Sequence, residues 1–188
     1  PIAAVGVVNV GPFADGSSVS LTVLHGSDAT CDLPLGSFTY ACPPANDDCA
    51  NAIAISAMPY TNSQNASAAT GPVVSTCAGM NDGVWYTVVG NGADIIVELS
   101  GVTGWDPEIG VYTGSCGTFT CVGSVDDDGT GGGETYTITA STAGTTYFIN
   151  LGHYNDFSDS PEGPLTLNVT TTLSSGSFDN ANFVAYPN

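Results

Sequence analysis

The sequence predicts an all-β chain, folded as an antiparallel β-sandwich of jelly-roll type. Three observations carry this. Apolar and polar residues alternate with a period of two in one run after another. Clusters of Gly, Asn and Asp separate the runs, as at Gly90-Asn91-Gly92, Gly101 to Gly104 and Asp126 to Gly133. Gly, Ser and Thr are abundant, and no stretch reads as an amphipathic helix beyond a turn at Asp48 to Ala52.

The elements follow in order. Ile2 to Val10, Ser18 to His25 and Gly36 to Tyr40 read as strands; in the second, Val19, Leu21 and Val23 alternate with Ser18, Ser20 and Thr22. Cys42-Pro43-Pro44-Ala45-Asn46-Asp47-Asp48 breaks the pattern, because two prolines stop a strand and stiffen a link. Residues 1–42 thus hold about three strands, too few to close a sandwich alone. Residues 43–45 are a linker, and residues 46–172 supply eight or nine strands, enough for a full sandwich. Ile95, Val97 and Leu99 mark one of them, Tyr136 and Ile138 another; Tyr147, Ile149 and Leu151 are followed by Leu165, Leu167 and Val169. Residues 173–188 are a Ser-, Asn- and Gly-rich link ending in a short apolar run.

Charge is the second informative feature. The 188 residues contain 18 Asp and Glu and no Lys or Arg. Average composition would supply roughly twenty basic residues. Their absence removes every conventional ion pair, and with it the groups that grip nucleic acid or anionic lipid. Nucleic acid is therefore not an expected partner. Counter-cations for the carboxylates must come from outside the chain, and a divalent metal ion is the obvious source. No apolar stretch is long enough to cross a membrane, so membrane insertion is not expected either. The first residues lack a basic n-region, and the chain reads as a mature or excised piece.

Six cysteines suggest three pairs of near neighbours: Cys31 with Cys42, Cys49 with Cys77, and Cys116 with Cys121. Buried free thiols are the alternative. Disulfides imply an oxidising place outside the cytoplasm. No CxxC pair occurs, and His25 and His153 have no ligand spacing with the cysteines, so a thiolate metal site is not expected.

Three pieces in succession resemble a known family. They are Asn46-Asp47-Asp48-Cys49-Ala50-Asn51-Ala52-Ile53, then Asp82-Gly83-Val84-Trp85-Tyr86, then the run Trp105 to Cys116 with Cys121, Asp126-Asp127-Asp128 and Ala143 to Ile149. Their order resembles the bacterial pre-peptidase C-terminal type of jelly-roll domain, as found in secreted proteins of Bacteroidetes, over residues 46–172. Residues 1–42 look like the last strands of an immunoglobulin- or fibronectin-type module. Asn182 to Asn188 look like the opening of a type IX secretion C-terminal sorting domain. The resemblance implies a non-catalytic appendage of a secreted or outer-surface protein. Such domains can bind calcium or polymers such as collagen or polysaccharide.

Read on their own residues, several sites stand out. Asp126-Asp127-Asp128-Gly129 offers three adjacent carboxylates in a Gly-rich loop, with Glu134 and Asp106 as further candidate ligands for calcium. The competing reading is a solvated turn, which Asp-Gly favours. Asp47 and Asp48 at the domain entrance are either calcium ligands, as in the resembling domains, or the N-cap of the turn that follows. Trp85, Tyr112 and Tyr147 are expected to pack in the core, whereas Trp105 and Tyr154 lie in expected loops and are candidates for stacking on a polymer ligand. Catalysis finds no motif: there is no Gly-x-Ser-x-Gly elbow and no HExxH. Uncharged Ser- and Thr-rich strands invite edge pairing, so self-association, or association with neighbouring modules into a surface fibre, is a further expectation.

Overall fold

Nine strands follow the proline-rich link, and the alternating runs that start at Ile95, Tyr136, Tyr147 and Leu165 each fall in one of them. The computed structural model describes residues 11–14, 16–24, 33–39, 41–71, 74, 76–80, 83–154 and 162–172. The chain divides into two compact units, Pro1–Cys42 and Pro43–Asn188.

In the first unit β1 (Ser18–Val23) pairs antiparallel with β2 (Leu33–Thr39). A register shift falls between Leu21 and Thr22. The described part of this sheet has two strands, and most of its apolar residues stay in solvent: Leu33 is 59 %, Leu35 60 % and Phe38 48 % exposed. The expected strand Ile2 to Val10 lies outside the described residues, as do His25, Cys31 and the sorting-type segment from Asn182.

The second unit is a β-sandwich. One sheet has the order β3 (Ile53–Ile55), β5 (Val84–Val89), β10 (Thr146–His153), β7 (Pro107–Ser115), β8 (Thr118–Val125). The other has the order β4 (Tyr60–Asn65), β11 (Pro164–Thr171), β6 (Ile95–Ser100), β9 (Glu134–Ile138). All neighbours are antiparallel except the short β3, which runs parallel to β5. The chain changes sheet at most connections, so sequence neighbours such as β5 and β6 lie in different sheets.

Alternation decides what fills the gap between the sheets. Val84, Tyr86 and Val88 of β5, Ile109 and Val111 of β7, and Ile149 and Leu151 of β10 meet Val97 and Leu99 of β6 and Leu165, Leu167 and Val169 of β11. Each side chain of this size contributes roughly 1.5–3 kcal/mol on burial. The other face of the five-stranded sheet is aromatic. Trp85 stacks on Phe119 with centroids 5.1 Å apart, and Tyr112 and Phe148 lie 5.2 and 5.6 Å from Phe119. Trp85 and Tyr112 are buried as expected, but on this outer face and not between the sheets.

Two disulfides tie covering segments to the β7–β8 hairpin. Cys49 bonds Cys116, and Cys77 bonds Cys121. This corrects the expected pairs Cys49–Cys77 and Cys116–Cys121. The four residues between Cys116 and Cys121 span the tight turn and the start of β8, where Cys121 faces Tyr112 of β7. The two hairpin cysteines are thereby directed onto separate segments lying over the sheet. Cys31 lies outside the described residues, so the pair expected for Cys31 and Cys42 does too.

Candidate functional site

One end of the sandwich gathers a cluster of carboxylates. β7 begins there, β8 and β10 end there, and β9 begins there, as the pairings His153↔Pro107, Ile109↔Val125 and Leu99↔Glu134 require. Asp106 therefore stands before β7, Asp126 after β8 and Glu134 at the head of β9, with Asp127 and Asp128 in the loop between β8 and β9. That loop is held against the start of β7 by a hydrogen bond of 2.8 Å from Gly131 N to Trp105 O.

Glu134 is the pivot. It is 1 % exposed. Its Oε1 accepts the backbone N–H groups of Asp127 at 3.0 Å and Asp128 at 2.7 Å, so it acts as a two-pronged clasp on the acidic loop. Its Oε2 is buried and has no hydrogen-bond partner; the same is true of Asp106 Oδ1 and Glu108 Oε2. Burial raises the Glu134 carboxyl above its ordinary value; the two N–H bonds oppose that rise, and Asp126 and Asp128 add to it. Asp126 is raised first by desolvation and then by Asp106 and Asp127.

Glu108 lies on the outer face of the sheet beside this cluster. Desolvation pushes its pKa up to about 7, a Gly79 backbone bond lowers it, and Asp126 and Glu134 raise it further. The phenol of Tyr112, two residues on, lies back over Gly110, where a Cβ would collide with its ring and hydroxyl. Tyr112 is itself pushed up to about 12 by burial, with Glu108 the next cause. Among the described residues no three His, Cys, Asp or Glu side chains already stand together as a metal cage.

The remaining sequence candidates are placed as follows. Asp47 is buried, and its Oδ1 and Oδ2 accept Thr70 N and Thr70 Oγ1, both at 2.7 Å. Both oxygens are thus occupied within the fold. Asp48 takes the N-cap position of the 3-10 turn Cys49–Asn51 but makes no side-chain cap bond. The leading segment is anchored by its neighbour: Asn46 Nδ2 donates to Trp85 O and Asn46 O accepts Trp85 N, at 2.9 and 2.8 Å. Nothing in the sequence flags Thr70 as the partner of Asp47.

Trp105 corrects the expectation of an accessible stacking surface. It is 2 % exposed and plugs this end of the core, with Nε1 donating to Pro164 O at 3.3 Å. Gly163 makes room for it, since a Cβ there would stand 2.8 Å from Trp105 Cδ1. Tyr154 is 40 % exposed, and its N–H bonds Asp106 O at 2.8 Å. It presents a single ring without the second aromatic expected beside it. His153 is buried, with Nδ1 donating to Tyr154 O at 2.6 Å and its N–H bonding Glu162. At the opposite end of the sandwich a groove of about 390 Å³ is lined by Ile55, Ala57, Met58, Val88 and Val89 with Ser56, Asn91 and Thr171, none of them titratable.

No family model matches this chain, and no curated protein is significantly similar to it. Among solved structures, a periplasmic inhibitor of g-type lysozyme from Aeromonas hydrophila aligns with a TM-score of 0.41 and 15 % identity, over 64 % of this chain and 96 % of that one. At that score and identity the likeness transfers neither fold nor function.

Proposed function

We propose that residues 46–172 are a non-catalytic module of the pre-peptidase C-terminal type, working outside the cytoplasm as a structural or adhesive part of a larger secreted or cell-surface protein. The observation that carries this is the use made of buried polar side chains. Asn46, Asp47, Glu134, Ser141, Asn150 and Glu162 all hold backbone groups of neighbouring segments. A catalytic acid, base or nucleophile must instead face a substrate-sized space within hydrogen-bond reach of the reacting atom. The groove at the far end offers no such group.

Two disulfides support an oxidising location. The apolar residues left in solvent on β1 and β2 support association with neighbouring modules or a second copy. The test has two arms. Chromogenic glycosides, esters and peptides should show no turnover above a heat-denatured control; turnover abolished by Glu108→Gln would sink the non-catalytic reading. Sedimentation velocity should show concentration-dependent association that Leu35→Ser with Phe38→Ser weakens. A strictly monomeric wild-type chain would sink the associative part.

A further inference from the structure

We infer that the chain cuts itself once, at the peptide bond between Asp106 and Pro107, into two pieces that the interleaved strands and both disulfides keep joined. This goes beyond the structural role proposed above and does not depend on it. It is a single reaction of the chain on itself and needs no substrate.

Asp106-Pro107 is the one Asp-Pro pair in the sequence. Its setting favours attack by the Asp106 side chain on its own main-chain carbonyl. Asp106 Oδ1 is buried and has no hydrogen-bond partner among the described residues. A carboxylate oxygen stripped of hydration and of donors is a better nucleophile than one in water. The carbonyl is also prepared. Asp106 O accepts Tyr154 N–H at 2.8 Å, and Tyr154 is itself fixed by its bridge to Met80. A rigid backbone donor stabilises negative charge as it develops on that oxygen. Pro107 supplies the leaving group at the head of β7, opposite His153. Its nitrogen carries no hydrogen and gives no ladder bond, so its departure breaks none.

Water alone balances the reaction. Oδ1 bonds to the Asp106 carbonyl carbon, the bond from that carbon to Pro107 N breaks, and the nitrogen leaves with a proton from solvent. Asp106 is then a cyclic anhydride, which one water opens to the side-chain and main-chain carboxylates. Nucleophile and carbonyl belong to one residue, so the attack is unimolecular. The product also gains what the acidic end lacks. Pro107 becomes a secondary ammonium with two N–H donors, in a chain without Lys or Arg. Its neighbours in sequence, Asp106 and Glu108, both carry orphaned oxygens.

The topology hides the cut. Residues before it supply β3 to β6, and residues after it supply β7 to β11. The two sets alternate in the sheet β4-β11-β6-β9, and β10 lies between β5 and β7 in the other. Cys49–Cys116 and Cys77–Cys121 each join a residue before the cut to one after it.

The test holds the full chain for days at about pH 5, where solvent readily protonates the leaving nitrogen, and follows it by mass spectrometry. Without reductant the mass should rise by one water. After reduction and denaturation, pieces ending at Asp106 and beginning at Pro107 should appear. The chain unfolded in urea with its disulfides intact should be cut at least about tenfold more slowly, because unfolding hydrates Oδ1 and removes the Tyr154 donor. Asp106→Asn removes the carboxylate nucleophile, and Pro107→Ala keeps it but restores an N–H to the leaving nitrogen. Each should slow the cut by about tenfold or more, with circular dichroism showing that the variant is folded. The comparison of native chain with urea needs no variant. No pieces from the native chain, cutting as fast in urea as in the native state, or cutting of folded Asp106→Asn at the wild-type rate would each overturn the proposal.

Discussion

The two ends of the sandwich solve the same problem with different chemistry. Both must tie loops together across the open edges of two sheets. At the end where β6 begins and β11 stops, the ties are nearly all neutral. Ser141 Oγ donates to Ala93 O at 2.7 Å and accepts Asn91 N at 3.2 Å, Asn91 Nδ2 donates to Thr171 Oγ1, and Thr172 Oγ1 accepts Asp94 N. The carboxylate in this network, Asp94, accepts Ala140 N. At the other end Asp106, Glu108, Asp126, Asp127, Asp128 and Glu134 are crowded together, and three of them carry buried oxygens without partners. A hydroxyl both donates and accepts, so a network of Ser, Thr and Asn closes on itself. A carboxylate only accepts. Once the local N–H groups are used, a set of carboxylates in a chain without cations cannot be completed from within.

The contrast predicts a pH response at the acidic end and none at the neutral end, and the largest effect belongs to Glu108. Its folded-state pKa is raised from 4.5 to about 7, chiefly by desolvation, with Asp126 and Glu134 facing it from the neighbouring loop and strand. A carboxyl raised on folding contributes stability that is fully present below its unfolded value and is lost as the pH climbs through its folded value. In chelator, the protein should therefore unfold more easily at about pH 8 than at about pH 5, by on the order of 3 kcal/mol from this group. Glu134 and Asp126 add to the loss in the same direction. Glu108→Gln should flatten most of the slope in urea titrations across that range. A stability that rises with pH in chelator would show that the acidic end is not strained by its own charge.

Ser141→Ala probes the neutral end. Ser141 is 1 % exposed, and removing its hydroxyl leaves Asn91 N and Ala93 O with fewer partners. The cost should be about 1–2 kcal/mol, the same at both pH values and indifferent to calcium. If the cost depends on pH or calcium, the two ends are coupled and the comparison fails.

How much of this was legible beforehand differs between the elements. Period-two alternation marks β6, β9, β10 and β11, because the pattern is local; β5 and β7 bury side chains on both faces and carry no such alternation. Proximity in sequence does not give the disulfides, because it ignores the hairpin: Cys116 and Cys121 flank a turn, and each pairs with a segment that arrives over the sheet from far away in the chain. Trp105 looks like a loop residue because no alternation surrounds it, yet it seals the core against Gly163, a contact between positions 58 residues apart whose partner has no side chain to signal it. The acidic site shows the same division. Asp126, Asp127 and Asp128 announce themselves as a run. That Glu134 would clasp that loop with one oxygen and be left with the other depends on where β9 starts, which composition does not reveal. Asp47 had two sequence readings, ligand or cap; the fold uses it as a clasp on Thr70.

The smallest effect expected is at Tyr154. Its ring is 40 % exposed beside the acidic end, while its backbone is fixed by Asp106 O and by a bridge to Met80. Truncating an exposed side chain whose main chain stays tied should alter stability by less than about 0.5 kcal/mol. Tyr154→Ala is therefore a clean probe of ligand binding, with folding held constant. A single ring can stack on one sugar or one peptide unit, but without Trp105 beside it there is no extended aromatic platform. Wild type and Tyr154→Ala should thus elute alike from columns of insoluble polysaccharide and of collagen. Retention of the wild type that Tyr154→Ala abolishes would establish that the acidic end faces a polymer, and would give it a binding role that the neutral end lacks.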